Sequence, residues 1–350
     1  MRLVTTLLLP CALTASTLVA EEIPEIRIVS SVDEMIEIYQ EADYWGELEP
    51  DKIIEVPPLL VVATIREWRE EATTISVQDK KELFYRSLLP LVLYANEAIA
   101  SDRSRLERVS GTVAELGGAE NADSEWLREL AIKYRLFKTE ADSIPDLHAG
   151  DKLADLLDEL LLRVDVVPAS LALGQGAYES GYGTSRFALE GNSYFGQWTY
   201  GGKGMAPKKK RASKGNYGVA AYAWPLDSVR SYMMNLNTHR AYAELRKKRA
   251  ILRSRGEPIS GEALAATLTH YSERGDAYVK TLTGMMRVNE LYAADDARLL
   301  QQNLVLIVNA VDKTDARAVA EEISGLRASG ELAELIGSMG IVGLGKLESE

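Results

Sequence analysis

Apolar residues recur every three or four positions along most of the chain, a spacing typical of amphipathic helices. In the first half, such stripes begin at residue 35, after the Pro57-Pro58 pair (59–68), at residues 80–115, at 126–136 and at 153–161. Pro90 lies inside the longest stripe and is expected to kink or split it, because proline removes a helical hydrogen bond. We interpret these stripes as core-facing, with residues 21–30 as a linker before the first helix.

The pattern changes at Pro168. Residues 168–202 carry only three charges, on Glu179, Arg186 and Glu190, together with eight glycines and seven aromatic residues. Residues 219–224 alternate like a strand, which predicts a small β-hairpin lobe. Helical spacing returns at Pro225 and is predicted to continue through 242–255, 261–271, 299–311 and 316–326, before a loose tail at 337–345. The fold class is therefore mainly α.

Composition narrows the function. The chain has 350 residues and a net charge of −12, which argues against nucleic-acid binding, since that needs a basic face. Three histidines and one cysteine leave little material for a metal site, so we expect neither metal nor cofactor. Residues 1–20 resemble a cleaved signal peptide, with Arg2, a short apolar run and small residues before Glu21. We expect no membrane span and a periplasmic or secreted protein.

Glu179 is the most informative titratable residue. Pro168 and the apolar residues after it predict a buried helix, and Gly181 and Gly183 should end it, so Glu179 falls in its last turn. A helix C-terminus and apolar surroundings both raise the pKa of a carboxyl group. A glycosidase needs such a partly protonated acid. The alternative is an ordinary carboxylate that caps or salt-bridges at a surface turn.

The segments 170–188 (SLALGQGAYESGYGTSRFA) and 191–198 (GNSYFGQW) resemble the bacterial Bax family. This family contains a glucosaminidase domain related to flagellar-rod and autolysin peptidoglycan hydrolases. The resemblance continues through 235–239, 241–242 and 271–275 and covers roughly residues 56–295. It implies a lysozyme-like helical domain with a small β-lobe, and cleavage beside N-acetylglucosamine in peptidoglycan or a related glycan.

The resemblance also implies roles for individual residues. Glu179 matches the general acid, and Tyr271 matches a tyrosine near the reaction centre, with Tyr278 as a second candidate that spacing does not distinguish. Further candidates for substrate binding are Tyr182, Asn192, Phe195, Gln197 and Trp198. Asn192 and Phe195 would fix a turn, Phe195 and Trp198 would form a sugar platform or else belong to the core, and Gln197 would bond an acetamide.

The chain departs from related autolysins in one respect. Residues 203–222, in the predicted lobe, contain no Asp or Glu, whereas a two-carboxylate mechanism needs a partner across the scissile bond. We therefore expect Glu179 to be the only essential carboxylate, with Glu190, Glu273 and Asp276 as the residues that would contradict this. The basic run 208–211 is either a solvated hairpin tip or a clamp for peptidoglycan carboxylates.

These observations predict an exported endo-N-acetylglucosaminidase with a glycan substrate and no assigned protein partner. A lytic transglycosylase and a non-catalytic glycan-binding scaffold are the alternatives. We divide the chain into a signal peptide (1–20), a linker with a short helix (21–55), a helical N-terminal region (56–150), the glucosaminidase domain (151–295) and a helical C-terminal extension with its tail (296–350).

Overall fold

The computed structural model describes residues 24–46, 52–63, 68–116, 121–137, 151–201, 204–207 and 215–341. The predicted signal peptide and the basic run 208–211 lie outside these residues. Within the described ranges, helices dominate and strands are short. The prediction of a mainly α fold is therefore confirmed.

Helices account for most of the elements in the N-terminal half. They are α1 (Val32–Glu41), α2 (Trp68–Glu71), α3 (Val77–Leu116), α4 (Asn121–Lys133), α5 (Asp151–Arg163), α6 (Ala169–Ser180) and α7 (Arg186–Gly191). The later helices are α8 (Pro225–Thr238), α9 (Ala243–Ser254), α10 (Gly261–Ala265), α11 (Asp276–Val288), α12 (Lys313–Ser329) and α13 (Glu331–Ser338). Short 3-10 turns at Arg240–Tyr242, Leu268–His270 and Leu291–Asp296 join several of them.

Strands form three small sheets. They are β1 (Glu25–Val29), β2 (Glu55–Val56), β3 (Leu59–Val61), β4 (Trp198–Tyr200), β5 (Tyr217–Val219), β6 (Arg298–Leu299) and β7 (Val305–Asn309). β7 lies between β1 and β3 and is parallel to both, and β2 pairs with β6. β4 and β5 are antiparallel, with Trp198 opposite Val219. A hairpin lobe is present as predicted, but its second strand lies at Tyr217–Val219 and not at the predicted residues 219–224.

Three predictions of local structure were wrong. The linker at residues 21–30 contains β1, the segment after Pro57-Pro58 forms β3, and residues 299–311, predicted helical, contain β7. The three residues of β3 are all buried, and a short, fully buried apolar run does not distinguish a strand from a helix. In addition, β1 and β7 lie at opposite ends of the chain, so their pairing has no local signal.

The long helix α3 is not split at Pro90, and its 40 residues run without interruption. Leu88, Leu89, Leu91 and Val92 around the proline are all buried. Burial of that much apolar surface outweighs the lost hydrogen bond. The helix thus connects two hydrophobic cores. The first surrounds the three-stranded sheet and α6, and the second lies between the C-terminal half of α3 and the helices α4 and α5.

Close packing fixes the position of α6 between α3 and α11. A Cβ atom added at Gly174 would lie 2.7 Å from Cγ of Met286 on α11, and one at Gly176 would lie 2.8 Å from Cδ2 of Leu88 on α3. Glycine is required at these positions because any larger residue would push a neighbouring helix away. The helix that carries Glu179 is therefore held on two sides.

Candidate active site

Helix α6 ends as predicted. Gly181 adopts a left-handed conformation with φ of 59° and donates its backbone N–H to the carbonyl of Ala177, the usual way in which glycine terminates a helix. Glu179 therefore lies in the last turn, and its side chain is half-buried. The position of Glu179 relative to the helix end is the one the sequence predicted.

Tyrosines from several elements surround the Glu179 carboxyl group. The hydroxyl group of Tyr278, in the first turn of α11, lowers the pKa of this carboxyl group. Tyr271 lies beside Tyr278 with the two rings stacked at 5.5 Å between centroids, and Tyr242 packs next to Tyr271 at 5.9 Å. On another side lies Gly196, where an added Cβ would be 3.8 Å from Oε2 of Glu179. The carboxyl group is thus enclosed by aromatic rings and backbone.

Burial dominates the ionisation of this acid. It raises the pKa of Glu179 from an ordinary 4.5 to about 7, and only the Tyr278 hydroxyl group opposes the increase. The neighbouring phenols respond to the same surroundings: burial raises the pKa of Tyr242 to about 12, and the Glu179 charge adds to that increase. A carboxyl group with a pKa near 7 keeps a substantial protonated fraction at neutral pH. It is therefore suited to donating a proton.

The hydroxyl groups of the two candidate tyrosines have different partners. Tyr278 is fully buried and accepts a hydrogen bond from Nε2 of Gln175 at 2.9 Å. Tyr271 donates its hydroxyl proton to the backbone carbonyl of Phe195 at 3.3 Å. Burial raises the pKa of both phenols far above the ordinary value. Both tyrosines lie at the site, and Tyr278 is the one whose hydroxyl group lowers the pKa of Glu179.

Other predicted residues are placed at some distance from the acid or in the core. The Phe195 ring is 3% exposed and stacks on Tyr232 at 4.0 Å, so only its backbone reaches the site. Tyr182 packs its ring edge-on against Phe84 and Tyr85 of α3. Among the predicted aromatic platforms, Trp198 is the exposed one, with 44% of its surface accessible.

Asn192 and Gln197 tie the hairpin lobe to the helices. Asn192 ends α7 in a left-handed conformation, and its amide nitrogen donates to the carbonyls of Tyr222 and Ala223 at 3.2 and 3.0 Å. Gln197 donates to the Ser231 carbonyl at 3.1 Å and accepts from the Tyr222 hydroxyl at 2.7 Å. Both side chains have a positioning role within the protein.

Several carboxylates bear on the question of a second catalytic acid. Glu190 pairs with Arg186 at 3.1 Å and is largely exposed, and Glu273 and Asp276 are also exposed. Asp295 is half-buried and its pKa is raised to about 6, mainly by burial. However, it accepts from the Ser170 N–H at 2.9 Å, at the start of α6. At the rise of an α-helix, Ser170 is about 13 Å from Glu179 along the axis, beyond the separation that glycosidase carboxylates show.

The sequence analysis missed the residues beneath and beside the acid. They are Gln175, Tyr232, Tyr242 and Arg274, which donates to the Tyr178 hydroxyl. Only Gln175 had a usable signal, because it lies one helical turn before Glu179 and is a polar residue in an otherwise apolar helix. The others come from α8, the 3-10 turn Arg240–Tyr242 and the loop before α11, which only the tertiary fold brings together.

Two comparisons with known proteins agree with this geometry. Residues 154–291 match the family model described as Glucosaminidase, mannosyl-glycoprotein endo-beta-N-acetylglucosaminidase. The chain is also 30% identical to "Protein bax" of Escherichia coli strain K12 over 212 residues, which cover 60% of this chain and 70% of that protein. The chain belongs to the Bax family.

The family membership confirms the resemblance carried by residues 170–198, and the glucosaminidase domain supports a glycosidase-type enzyme with a glycan substrate. The matched range includes Glu179, Tyr271 and Tyr278. No solved structure matches the chain. Across the described residues of this Bax-family chain, no helix combines the length and the apolar character that a bilayer span requires.

Proposed function

We propose that this protein is an exported glycoside hydrolase that cleaves β-1,4 linkages beside N-acetylglucosamine in peptidoglycan, with Glu179 as general acid. The single observation that carries the proposal is the enclosed Glu179 carboxyl group, whose pKa is raised to about 7 by burial. Family membership supports the glycan substrate. The signal-like residues 1–20 and the cell-wall substrate support export to the periplasm or the exterior.

In the proposed reaction, protonated Glu179 donates its proton to the glycosidic oxygen as the bond breaks. The acetamido oxygen of the substrate or a water molecule beside Tyr271 bonds to the sugar carbon as the glycosidic bond breaks. Water finally supplies the hydroxyl group of the new reducing end, and its released proton restores the protonated form of Glu179. Glu179 is the only essential carboxylate in this scheme. The acid-free lobe sequence supports this, as does the location of Asp295 near the opposite end of α6.

The hairpin lobe is the proposed wall of the glycan groove. Trp198 and Tyr200 are two positions apart on β4, so they lie on the same face of the strand, and they are 44% and 62% exposed. Sugar rings stack on such aromatic faces. Trp198 is therefore the proposed platform, whereas Asn192, Phe195 and Gln197 support the lobe from within. The basic run 208–211 follows β4 in the chain and would contact the carboxylates of peptide stems.

The test is digestion of purified peptidoglycan by the full-length protein, with product masses determined by mass spectrometry. We expect reducing N-acetylglucosamine ends, and none from Glu179→Gln. A matched control is Glu244→Gln, which removes an exposed glutamate paired with Lys247 on α9 and should leave the products unchanged.

The remaining results of the same digestion each exclude a part of the proposal. Anhydro-muramic ends would establish the lytic transglycosylase alternative. Intact peptidoglycan that binds the protein would establish a scaffold. Replacement of Glu190, Glu273 and Asp276 by their amides tests the single-carboxylate scheme, and a second variant as inactive as Glu179→Gln would contradict it.

A further inference from the structure

A second cleft, of about 740 Å³, lies between α3, α5 and α9, and its lining residues differ from those around Glu179. Each helix contributes residues three or four positions apart, which lie on one helical face. They include Arg103 and Glu107 on α3, Asp158 and Leu161 on α5, and Ala250 and Arg253 on α9. We call this space the three-helix cleft. Its volume is in the range of about 300–1,000 Å³ that is typical of small-molecule sites.

Arg103 is held in one orientation at the three-helix cleft. Its Nη1 donates to the carbonyls of Leu161 and Val164, each at 2.9 Å, and its Nε donates to Glu107 at 2.8 Å. The Arg103 side chain is only 12% exposed. Within the described part of the chain, its Nη2 has no hydrogen-bond partner. A guanidinium group that is already fixed and still has unused N–H groups is suited to a carboxylate.

The second guanidinium group, that of Arg253, is fixed by the buried carboxylate of Asp165. Its Nε donates to Oδ2 of Asp165 at 2.6 Å, and its Nη2 donates to Oδ1. This bidentate pair sets the plane of the guanidinium group. The remaining nitrogen, Nη1, is without a partner among the residues that the structure describes. Two guanidinium groups that line the same cleft therefore keep unused donors at low cost in side-chain entropy.

Negative charge lies beside these donors. The lining of the three-helix cleft includes two positively and three negatively charged side chains. Of the negative ones, Asp158 is exposed and forms neither a hydrogen bond nor an ion pair with any described residue. It precedes Leu161 by three positions, so it lies about 5 Å along the α5 axis from the residue whose carbonyl binds Arg103. A simple anion would meet this acid, and a simple cation would leave the guanidinium donors unused.

We propose that the three-helix cleft binds an α-amino-acid end group, an ammonium and a carboxylate on one carbon, carried on an aliphatic chain. The carboxylate accepts from the unused N–H groups of Arg103 and Arg253, and the ammonium group donates to Asp158. The aliphatic chain packs on the apolar part of the lining, which Leu161 and Ala250 supply. The distance of about one helical turn between the two kinds of charge suits so compact a group.

Peptidoglycan contains this group in the diaminopimelate of its stem peptides, whose side chain ends in an ammonium and a carboxylate on one carbon. We therefore assign the cleft to the diaminopimelate side chain of a stem peptide. The inference goes beyond the proposed function and rests on it only for the source of the ligand. The protein would then hold the peptide at one site while the glycan lies across Glu179.

The experiment is isothermal titration calorimetry of the full-length protein with two synthetic peptides. Both begin with N-acetyl-L-alanyl-γ-D-glutamate. One ends in meso-diaminopimelate, and the other ends in L-lysine, which keeps the side-chain ammonium group but lacks the side-chain carboxylate. We expect the lysine peptide to bind about tenfold more weakly, because the donors of Arg103 and Arg253 lose their acceptor. Equal affinities, or no binding of the diaminopimelate peptide, would overturn the proposal.

Two substitutions locate the bound peptide. Asp158→Asn removes the partner of the ammonium group and should weaken binding of the diaminopimelate peptide about tenfold. Asp155→Asn is the matched control, because this aspartate is exposed on the same helix and does not line the cleft. Ser254→Trp places a large ring in the cleft from an exposed position on α9 and should abolish binding. Affinity unchanged in Asp158→Asn or in Ser254→Trp would contradict the assignment.

Free meso-diaminopimelate distinguishes the two sources of the group. If it binds as tightly as the peptide, the cleft is a site for free amino acids and the assignment to stem peptides is wrong. These titrations involve neither sugar nor turnover. Peptide binding by a protein that leaves peptidoglycan intact would support the cleft and refute the glycosidase, whereas cleavage without peptide binding would refute the cleft alone.

Discussion

The substitution Glu179→Gln is expected to increase the free energy of unfolding. The increase should appear only at pH values at which the wild-type carboxyl group is ionised. Glutamine keeps the shape of the protonated acid. It removes the negative charge that burial penalises. Removal of a strained catalytic group commonly increases stability at the expense of activity.

The magnitude follows from the pKa difference. The folded pKa of about 7 compared with the ordinary 4.5, at about 1.4 kcal/mol per pH unit, corresponds to about 3 kcal/mol. The folded state binds the Glu179 proton more tightly than the unfolded state does. The contribution of Glu179 to the wild-type free energy of unfolding therefore falls as pH rises from 4.5 to about 7, and it is constant above that pH. The advantage of the glutamine variant should therefore be near zero at pH 4.5 and reach about 3 kcal/mol above pH 7.

The assay is urea denaturation of both proteins at half-unit pH steps from 4.5 to 8.5, at constant ionic strength. Subtracting the two free energies of unfolding removes the contribution of every other titrating group, including Asp295. Glu244→Gln is the control, because the Glu244 carboxylate is exposed. Its difference from the wild type in free energy of unfolding should not change with pH. A flat difference for Glu179→Gln as well would refute the conclusion that Glu179 is held in a desolvated position.

Three further substitutions test other parts of the structure. Asp165→Asn should lower the free energy of unfolding, measured by urea denaturation, by about 3–5 kcal/mol, because it leaves the fully buried Arg249 without its carboxylate. A decrease below about 1 kcal/mol would contradict this. Trp68→Phe removes the 2.8 Å hydrogen bond from the indole nitrogen to the Tyr182 carbonyl. It should lower the free energy of unfolding by about 1 kcal/mol and speed amide hydrogen exchange in residues 181–185. Unchanged exchange would show that this bond does not hold the segment in place. Trp198→Ala should weaken binding of N-acetylglucosamine oligomers roughly fivefold with stability within about 0.5 kcal/mol, and unchanged affinity would exclude it as a sugar platform.

The immediate surroundings of the acid could be predicted from sequence because the signals there are local. Gly181 ends α6 through its own backbone conformation, and the apolar run before it predicts burial. Together these place Glu179 in a buried last turn. A hairpin lobe is likewise indicated by the alternation at residues 219–224, although β5 ends at the first of these residues.

The three-stranded sheet could not be predicted in this way. β1 pairs with β7, almost the full length of the chain away, and each strand is only five residues long. Short strands of this kind carry little periodicity, and the stability of the pairing comes from partners that only the tertiary structure supplies. The division of the chain at residues 151 and 295 stays a prediction.

The same limit applies to the hydrogen bonds that Gln175 forms with Tyr278 and Tyr232. Gln175 is close in sequence to the acid, but Tyr278 and Tyr232 are more than 50 positions away on other helices. Sequence spacing therefore left Tyr271 and Tyr278 as equal candidates. The two hydroxyl groups have different partners in the structure, Gln175 for Tyr278 and the Phe195 carbonyl for Tyr271, and packing determines these partners.

The most direct test of the central claim is the rate of peptidoglycan cleavage by the full-length protein between pH 5 and 9, compared with Glu179→Gln. If Glu179 is the general acid, the wild-type rate should fall with an apparent pKa of about 7 as the proton is lost, and the variant should be inactive throughout. A variant that cleaves at the wild-type rate would contradict the claim. So would a wild-type rate that stays constant through pH 7.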